Sequence, residues 1–273
     1  MSNAAPLLQS VDTAVEECPD FVQSLARGLT VIRAFGADRA QLSQAQIAGR
    51  TGLARAVVRR SLITLQHLGY VGQRDRLFFL TPRILELGFG YLSASRLPEL
   101  ALPYMEQLVQ TVKESSSLSV LDGAEIVYVA RVPVSRIMTI ALGVGARLPA
   151  YAASMGRVLL SELDDAALEA WLARAKPIAI TQHTIHSQKE LKAEIIKVRR
   201  QGFAVVSREL EIGLYSVAVP VRDRRGAIVA ALNVSMQFQS DSKSIAMRVM
   251  LPALKHAQSE IERAITHLGS PLK

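Results

Sequence analysis

Arginine is the residue type in this chain whose number and placement most directly suggest a chemistry. Residues 21–83 contain ten arginines, no lysine and two acidic residues, and their net charge of +8 equals the formal charge of the whole chain. A guanidinium group presents a planar set of donors that fits phosphate oxygens and the edge of guanine. This concentration of arginine favours a nucleic-acid partner, although charge alone leaves a solvated basic surface as the alternative.

Residues that could support catalysis or bind a metal are scarce. His183 and His186 are the only close pair of histidines, and no cysteine or carboxylate stands beside them to complete a metal set. Gly143 and Gly145 are too isolated to form a dinucleotide fingerprint, and the chain has no nucleophile elbow. The sequence therefore predicts no catalytic residue, no metal site and no cofactor, and we interpret the two histidines as surface residues.

Small polar residues stand among strongly apolar neighbours at four positions in the second half of the chain, Ser154, Ser216, Asn233 and Ser235. Each of these hydroxyl or amide groups needs a hydrogen-bond partner if it is buried. A carboxylate or hydroxyl of a small ligand could supply that partner. A main-chain group or a water molecule could do so equally well, and the sequence does not decide between these alternatives.

The basic segment has the helical spacing that a DNA-binding domain needs. An apolar stripe predicts a first helix over residues 22–35, which Gly36 stops. Ser43 and Gln46 have the spacing of a capping box and open a second helix. Gly52 ends that helix after about two turns. A short capped helix followed by a glycine turn is the first half of a helix-turn-helix motif.

The third predicted helix covers residues 54–68 and ends at Gly69. Its apolar face should pack inward and consists of Val58, Leu62, Leu65 and Leu68. Arg55 and Arg59, one turn apart, point the other way, with Arg60 beside them. Since the N-terminal half of the second helix of this motif contacts base edges, these arginines are predicted to read DNA.

A basic hairpin follows the third helix. Residues 70–72 and 77–80 read as two short strands, and residues 73–76 form the tip between them. Such a hairpin acts as a wing that contacts phosphates or the minor groove, although an ordinary surface hairpin remains the alternative for Arg74 and Arg76. The DNA contacts predicted for this winged helix-turn-helix domain, residues 21–83, are Ser43, Gln44, Arg55, Arg59, Arg60, Arg74 and Arg76.

The rest of the chain divides into a tail, a linker and a second domain. Residues 1–20 carry a net charge of −4 and are expected to form a flexible acidic tail. Residues 84–98 read as a linker helix that ends at Pro98. Residues 99–271 are expected to form a second domain. The single cysteine, Cys18, excludes an internal disulfide, and no apolar run reaches 18 residues. We therefore expect a cytoplasmic protein that associates with the nucleoid and not with a membrane.

Strands and helices mix in the second domain, with short turns that make the sheet mostly antiparallel and the fold class α+β. Strands are predicted over residues 118–121, 126–132, 136–142, 203–207, 215–222 and 227–236. Helices are predicted over residues 99–112, 154–163, 166–173, a segment between a Ser187 and Glu190 capping box and Gly202, and 242–268 with a kink near Pro252.

Several stretches, taken in order, resemble regulators of the IclR type, especially those of the protocatechuate, p-hydroxybenzoate and β-ketoadipate pathways. These stretches are residues 21–35, 80–88, 120–132, 136–138, 154–160 and 216–222. The resemblance implies a winged helix-turn-helix, a linker helix and a GAF-like effector domain with an antiparallel sheet. It also implies homodimers or tetramers on palindromic or repeated operator sites, with RNA polymerase as a further partner.

The resemblance further implies an effector pocket lined by a helix start and two strands. The ligand-binding residues that it suggests, together with apolar neighbours, are Met138, Leu142, Tyr151, Ala153, Ser154, Met155, Gly156, Ser216, Asn233 and Ser235. Many members carry an acidic residue beside this pocket, where this chain has Val206 or Ser207, so a glyoxylate-like contact pattern is not expected.

The apolar surroundings of the pocket favour an aromatic acid of the 4-hydroxybenzoate or protocatechuate class. The alternatives are a non-aromatic acid, such as β-ketoadipate or a short keto acid, and, more remotely, a ligand-binding enzyme with an incidental basic domain. An RNA-binding regulator is disfavoured because the basic segment lacks exposed aromatic residues for base stacking.

Overall fold

The computed structural model describes residues 19–36, 39–94, 96–134 and 143–267. The chain divides into two compact units, and the division falls between Tyr91 and Leu92. Each unit has its own hydrophobic core.

The first unit consists of short helices and a three-stranded antiparallel sheet with the strand order β1-β3-β2. The helices are α1 Gln23–Arg33, α2 Gln44–Thr51, α3 Arg55–His67 and α4 Glu86–Ala94. The strands are β1 Leu42–Ser43, β2 Val71–Arg74 and β3 Leu77–Leu80, and a 3-10 turn, Pro82–Leu85, precedes α4.

Local sequence signals account for the helix-turn-helix. The predicted capping box is confirmed, because the Ser43 hydroxyl accepts a hydrogen bond from the Gln46 main-chain N–H and the Gln46 side chain accepts one from the Ser43 N–H. Gly52 follows α2 with a φ of +68°, a left-handed conformation that costs glycine little. The core beneath contains Val31, Ile47, Val58 and Leu62.

Three details of this unit differ from the sequence prediction. Leu68, expected to pack inward, is 49% exposed because it follows the last turn of α3. The first wing strand extends to Arg74, so the turn consists of Asp75 and Arg76 alone. Strand β1 was not predicted; it pairs Leu42 with Phe78 across more than thirty residues of sequence, and such distant pairing leaves no local signal in two residues.

The second unit combines six helices with a six-stranded antiparallel sheet whose order is β6-β5-β4-β9-β8-β7. The strands are β4 Ser115–Asp122, β5 Glu125–Val132, β6 Arg147–Pro149, β7 Ala204–Ser207, β8 Leu214–Arg222 and β9 Ile228–Gln237. The helices are α5 Leu97–Val112, α6 Ser154–Leu160, α7 Asp165–Ala175, α8 Gln188–Gln201, α9 Ser242–Ile245 and α10 Leu251–His267.

Both faces of this sheet are covered by helices. On β8, Val217 and Val219 belong to the core that includes α5 and α10. Ala218, between them, belongs to the other core, which includes α6, α7 and α8. This alternation is the two-residue period of a strand. It determines which polar residues of the sheet face α6.

Most predicted elements of this unit are present, with some corrections. The helix predicted to begin at Glu99 begins at Leu97, and Pro98 lies in its first turn, where the missing N–H costs no hydrogen bond. The helix predicted over residues 154–163 ends at Leu160. Ser187 precedes α8 but makes no capping hydrogen bond, so the predicted capping box is wrong.

The final helix and the edge strand β6 also differ from the sequence prediction. The predicted final helix is interrupted by a wide π turn, Ala246–Met250, directly before Pro252 in α10. Strand β6 at the edge of the sheet was not predicted. The strand predicted over residues 136–142 lies outside the described residues, as do Met138 and Leu142.

Candidate nucleic-acid interface and ligand cavity

The turn between α2 and α3 is held by one polar contact. The side-chain amide of Gln44 donates a hydrogen bond of 3.0 Å to the main-chain carbonyl of Arg55, the first residue of α3. Ser43 caps α2 through its hydroxyl. Both residues were predicted to contact DNA, and the structure shows their side chains positioning the two helices; a DNA contact by either stays a prediction.

The arginines of α3 separate into two directions. Arg55 and Arg59 are exposed, one helical turn apart, on the side away from the core. Arg60 is also exposed, but it lines a groove with Leu29 of α1 and Thr64. Successive residues of an α-helix differ in direction by about 100°, so the Arg60 side chain leaves α3 in a different direction from that of Arg59. The structure therefore brings Arg55 and Arg59 together and places Arg60 apart from them.

The hairpin of β2 and β3 is braced against the end of α3. The Gln66 side chain donates a 3.2 Å hydrogen bond to Gln73 on β2. A Cβ at Gly72 would lie 2.4 Å from the ring of Phe79, so glycine is required where that ring crosses the neighbouring strand. Arg74 and Arg76 are both exposed at the end of the hairpin, as the sequence predicted.

A small cavity lies between α6 and the sheet of the second unit, with a volume of about 30 Å³. Its walls combine apolar side chains with polar groups from β8 and β9. The lining residues are Tyr128, Leu148, Ala152, Ala153, Ser154, Met155, Val206, Leu210, Glu211, Leu214, Ser216, Asn233 and Ser235. A cavity of this size holds one or two water molecules, whereas a cavity that admits benzene in another protein measures about 150 Å³.

Six of the ten residues predicted to bind a ligand line this cavity: Ala153, Ser154, Met155, Ser216, Asn233 and Ser235. Tyr151 instead packs behind the wall, and its hydroxyl donates a 3.0 Å hydrogen bond to the carbonyl of Ile178. Gly156 allows α6 to approach the preceding turn, because a Cβ there would lie 2.0 Å from the carbonyl oxygen of Ala150. Both residues shape the wall without lining it.

Three polar residues of the cavity, Ser154, Ser216 and Asn233, belong to a continuous chain of hydrogen bonds, which we call the polar chain. The hydroxyls of Ser154 on α6 and Ser216 on β8 are 2.7 Å apart. The Asn233 amide donates to Ser216 at 3.1 Å, and its oxygen accepts from the Ser117 N–H at 3.0 Å. Arg131 donates to the Ser117 hydroxyl at 3.0 Å. Ser154, Ser216 and Asn233 therefore have protein partners in the structure, and a ligand contact by any of the four residues stays a prediction.

Two ionisable side chains line the cavity. Burial raises the pKa of the Tyr128 hydroxyl to about 12, and the charge of Arg131 opposes this rise with a smaller effect. Tyr128 therefore stays neutral at physiological pH and can donate a hydrogen bond. Glu211 contributes a carboxylate at the wall formed by the segment between β7 and β8.

A buried ion pair holds the segment behind this wall. Arg157 of α6 and Glu209 form two parallel hydrogen bonds of 2.9 and 2.6 Å, and their side chains are 1% and 7% exposed. Arg157 also donates to the Tyr151 carbonyl, and Glu209 accepts from the Ile185 N–H. The pair thus connects α6 to two loops. Removing either partner would leave an uncompensated buried charge.

Seven lining residues were not among the predicted ligand-binding residues, although the sequence analysis placed Val206 or Ser207 beside the pocket. Val206 lies directly opposite Ser216 in the register of β7 and β8, which accounts for its place in the wall. Tyr128 and Leu148 belong to strands whose approach to α6 depends on the sheet order. Glu211 and Leu210 lie in a segment without periodic pattern, where no local signal exists.

The negative predictions can be assessed only within the described ranges. His186 is exposed and His183 is half-buried, and within these ranges no group of three or more metal-ligating side chains was found. No helix in the described part of the chain is both long and apolar enough to span a bilayer.

Comparison with known proteins identifies relatives of both units. Residues 24–75 match the IclR helix-turn-helix domain, and residues 89–263 match the C-terminal domain of the bacterial transcriptional regulator IclR. The Pca regulon regulatory protein of Pseudomonas putida is 44% identical over 244 residues, which cover 89% of this chain and 84% of that protein.

Two further relatives concern p-hydroxybenzoate by name. The p-hydroxybenzoate hydroxylase transcriptional activator of Acinetobacter baylyi is 34% identical over 251 residues, which cover 90% of this chain and 93% of that protein. The crystal structure of an IclR homolog from Microbacterium hydrocarbonoxydans complexed with 4-hydroxybenzoate has a TM-score of 0.76 and 26% identity, covering 89% of this chain and 99% of that one.

Proposed function

Because the chain belongs to the IclR family of bacterial transcriptional regulators, we propose that it binds an operator through α2, α3 and the wing, under the control of a small aromatic acid. The chain is accordingly a regulator and not an enzyme. The aromatic acid would occupy the cavity between α6 and the sheet.

The geometry of the first unit supports duplex DNA as the partner. Arg55 and Arg59 project from the N-terminal half of α3, the part of such a helix that enters the major groove. Arg74 and Arg76 extend from the wing, where they can contact phosphates. The net charge of +8 within residues 21–83 supplies the attraction that precedes specific docking.

The observation that carries the effector proposal is the composition of the cavity wall. Leu148, Met155 and Val206 provide apolar surface for a ring, and Tyr128 adds an aromatic neighbour. The polar chain crosses the same wall and offers hydroxyl and amide groups to the polar substituents of a ligand. One relative is by name the transcriptional activator of p-hydroxybenzoate hydroxylase, and the structure of another was solved in complex with 4-hydroxybenzoate.

The charge of the wall favours a monoacid. Glu211 is the carboxylate among the lining residues, and no lysine or arginine is among them. A dianion such as β-ketoadipate would place a second negative charge close to Glu211, and like charges at such distances repel strongly in a low-dielectric site. The phenol of 4-hydroxybenzoate could instead donate a hydrogen bond to it. β-Ketoadipate and short keto acids remain the alternative effectors.

The volume of the cavity suggests how binding affects the molecule. At about 30 Å³ the cavity is smaller than an aromatic acid requires, and we propose that α6 and the sheet move apart on binding and that the Ser154–Ser216 hydrogen bond breaks. The acid then stabilises the expanded conformation by its differential affinity. We propose that this expansion alters the association of effector domains and hence the spacing of the two DNA-binding domains.

An apolar groove in the first unit supports a homodimer. Its volume is about 780 Å³, and α1 and α3 line it together with Tyr70 and Leu87. Leu25, Leu29 and Leu68 are exposed along it. Leu85, which directly precedes α4, and Leu87 within it are exposed as well. Because every copy of the chain carries both the groove and the exposed residues at α4, two copies can bury these surfaces against each other in a two-fold arrangement. Assembly into tetramers is part of the same proposal.

The remaining parts of the proposal concern organisation and location. We keep residues 84–98 as the linker and residues 99–271 as the effector-binding and oligomerisation domain. The regulator is proposed to act in the cytoplasm at the nucleoid, with RNA polymerase as a further partner.

The experiment begins with a duplex selected from a random library on the full-length protein. Fluorescence anisotropy then gives operator affinity with and without 4-hydroxybenzoate, protocatechuate, β-ketoadipate, glyoxylate and pyruvate. The aromatic acids should change operator affinity by about five-fold or more, the usual lower range for coupling between sites. An effect of β-ketoadipate or a keto acid without one of the aromatic acids would contradict the aromatic proposal. Failure to enrich any sequence would contradict operator binding itself.

A further inference from the structure

The lining of the cavity, within the described residues, contains no cation to balance the negative charge of an acidic effector. An acidic effector enters as an anion, yet the lining residues include Glu211 and no lysine or arginine. Burial of an isolated carboxylate is costly unless a cation or several donors compensate it. A cation just behind the lining residues would supply this compensation.

Arg131 is the cation to which the polar chain leads. In the register of the sheet, Arg131 on β5 lies opposite Ser117 on β4, and Ser117 lies opposite Asn233 on β9. Two strand spacings, about 10 Å, therefore separate the backbone of Arg131 from that of Asn233, and the guanidinium reaches back to donate to the Ser117 hydroxyl at 3.0 Å.

Two neighbours place the charge of Arg131 at the cavity wall. Tyr128, which lines the cavity, lies three residues earlier on the same strand, and the charge of Arg131 acts on its hydroxyl. Ser119, on β4 opposite Tyr128, is completely buried, and its hydroxyl makes no hydrogen bond within the described residues. Strand alternation places Ser119 on the same sheet face as Ser117. A buried hydroxyl without a partner is rare and marks a place where a polar ligand atom gains a contact.

The other nearby arginines are less suited. Arg157 donates to Glu209 and to the Tyr151 carbonyl, and neither acceptor belongs to the polar chain. The guanidinium of Arg208 lies 4.3 Å from the centroid of the Phe238 ring, and Phe238 packs against the core on the opposite face of the sheet. Of the three, Arg131 alone donates into the polar chain.

We propose that Arg131, with Ser117 and the buried hydroxyl of Ser119, binds the carboxylate of the effector and makes the cavity selective for acids over neutral analogues. This inference rests on the proposed aromatic-acid effector. The ring would then extend from Arg131 toward Met155, with its distal substituent toward Ser216 or Glu211.

The test compares two ligands of nearly the same shape, the anion 4-hydroxybenzoate and the neutral 4-hydroxybenzamide, by calorimetry on the full-length protein. The wild-type protein should prefer the acid by about ten-fold or more, as expected for a charge-assisted contact. R131Q should bring the two affinities within about two-fold of each other, mainly through weaker binding of the acid. R147Q is the matched control, because Arg147 lies on β6 of the same sheet with a side chain 36% exposed and does not line the cavity. It should keep the preference.

The outcomes separate the inference from the function it rests on. If the acid and amide bind the wild type equally, if R131Q keeps the preference, or if R208Q rather than R131Q removes it, the carboxylate is bound elsewhere and the inference is wrong. If neither 4-hydroxybenzoate nor protocatechuate binds the wild type, the proposed effector class is wrong and the inference goes with it.

R131K provides a second test in case the R131Q protein does not fold. Lysine keeps the charge but not the planar pair of donors. R131K should therefore lower the acid preference about three-fold or more relative to R147K. An unchanged ratio in a normally melting R131K protein would overturn the proposal.

Discussion

Individual side chains on α3 have different consequences according to the direction in which they leave the helix. Arg55 and Arg59 face away from the core, whereas Arg60 lies on the side of the groove between α1 and α3. All three share one residue type and almost one position in the sequence. Only their angle around the helix distinguishes a base-reading arginine from an arginine at the groove.

We expect Arg59→Ala to weaken operator binding by about 10- to 100-fold, as loss of a base contact does. Its effect on non-specific DNA should be much smaller. The affinity for effector should stay nearly unchanged, because Arg59 and the cavity belong to different units. Anisotropy with operator and scrambled duplexes, together with calorimetry for the effector, measures all three.

Arg60→Ala provides the control for this prediction. It removes the same charge from the adjacent position, and it should cost operator binding clearly less than Arg59→Ala. Equal losses of operator and effector affinity in the Arg59 variant would indicate misfolding. A larger loss in the Arg60 variant would mean that the base-reading face of α3 has been assigned incorrectly.

At the residue scale, the sequence was informative where a polar residue interrupts an apolar strand. Ser154, Ser216, Asn233 and Ser235 were selected in this way or by resemblance, and the structure gathers them around one cavity. Arg131 and Glu211 were missed, because an arginine near a strand end and a glutamate in a loop are ordinary residues in the sequence. Only the sheet order brings them near α6.

At the scale of secondary-structure elements, the wing shows how a hairpin positions its arginines. Its two-residue turn places Asp75 at a φ of +55°, and its strands pair from Val71 with Leu80 to Arg74 with Leu77. Gly72 leaves space for the Phe79 ring, and a hydrogen bond from Gln66 connects the hairpin to α3. Arg74 is thus presented by a braced element and not by a loose loop.

Replacing Arg74 with glutamine should weaken specific and non-specific DNA binding by similar factors, because a phosphate contact carries no sequence information. The slope of log K against log salt should fall by about one. Anisotropy titrations at several salt concentrations measure both effects. Arg263→Gln on α10 is the charge-matched control, with its partner Glu260, and should leave the slope unchanged. A loss confined to the operator would show that Arg74 reads bases.

Elements whose residues repeat a regular pattern over many positions were predictable from the sequence, and elements that depend on distant partners were not. The helices α1 to α3 and the strands β7 to β9 follow from periodicity, glycine stops and turns. Strands β1 and β6 have two and three residues and exist only because β3 and β5 pair with them. The spacing of Ser187 and Glu190 suggested a cap, but the hydroxyl makes no capping hydrogen bond.

In the proposed function, the whole molecule combines an operator-binding unit and an effector-binding unit in one chain, and its regulation would depend on assembly. The groove in the first unit would leave several leucines exposed in a monomer. A two-fold dimer buries this surface and supplies two helices α3 for a palindromic operator.

Leu29→Glu should therefore shift the protein toward monomers and weaken binding to a palindromic operator more than to an isolated half-site. A charge buried in an apolar interface is not compensated. Analytical ultracentrifugation and anisotropy measure the two effects. The control is Leu77→Glu, since Leu29 and Leu77 are 47% and 38% exposed and Leu77 lies on the wing outside the groove. Unchanged sedimentation of the Leu29 variant would rule out the groove as a dimer interface.

The near-closed cavity has a consequence for the timing of the response. If α6 and the sheet separate to admit the acid, as proposed, the rate of association would be limited by how often this cavity of about 30 Å³ opens. The same closure would slow escape once the acid is enclosed and the polar chain has rearranged around it. The regulator would then follow the average level of its acid over time and ignore brief fluctuations, much as an electronic filter passes slow signals and removes fast ones.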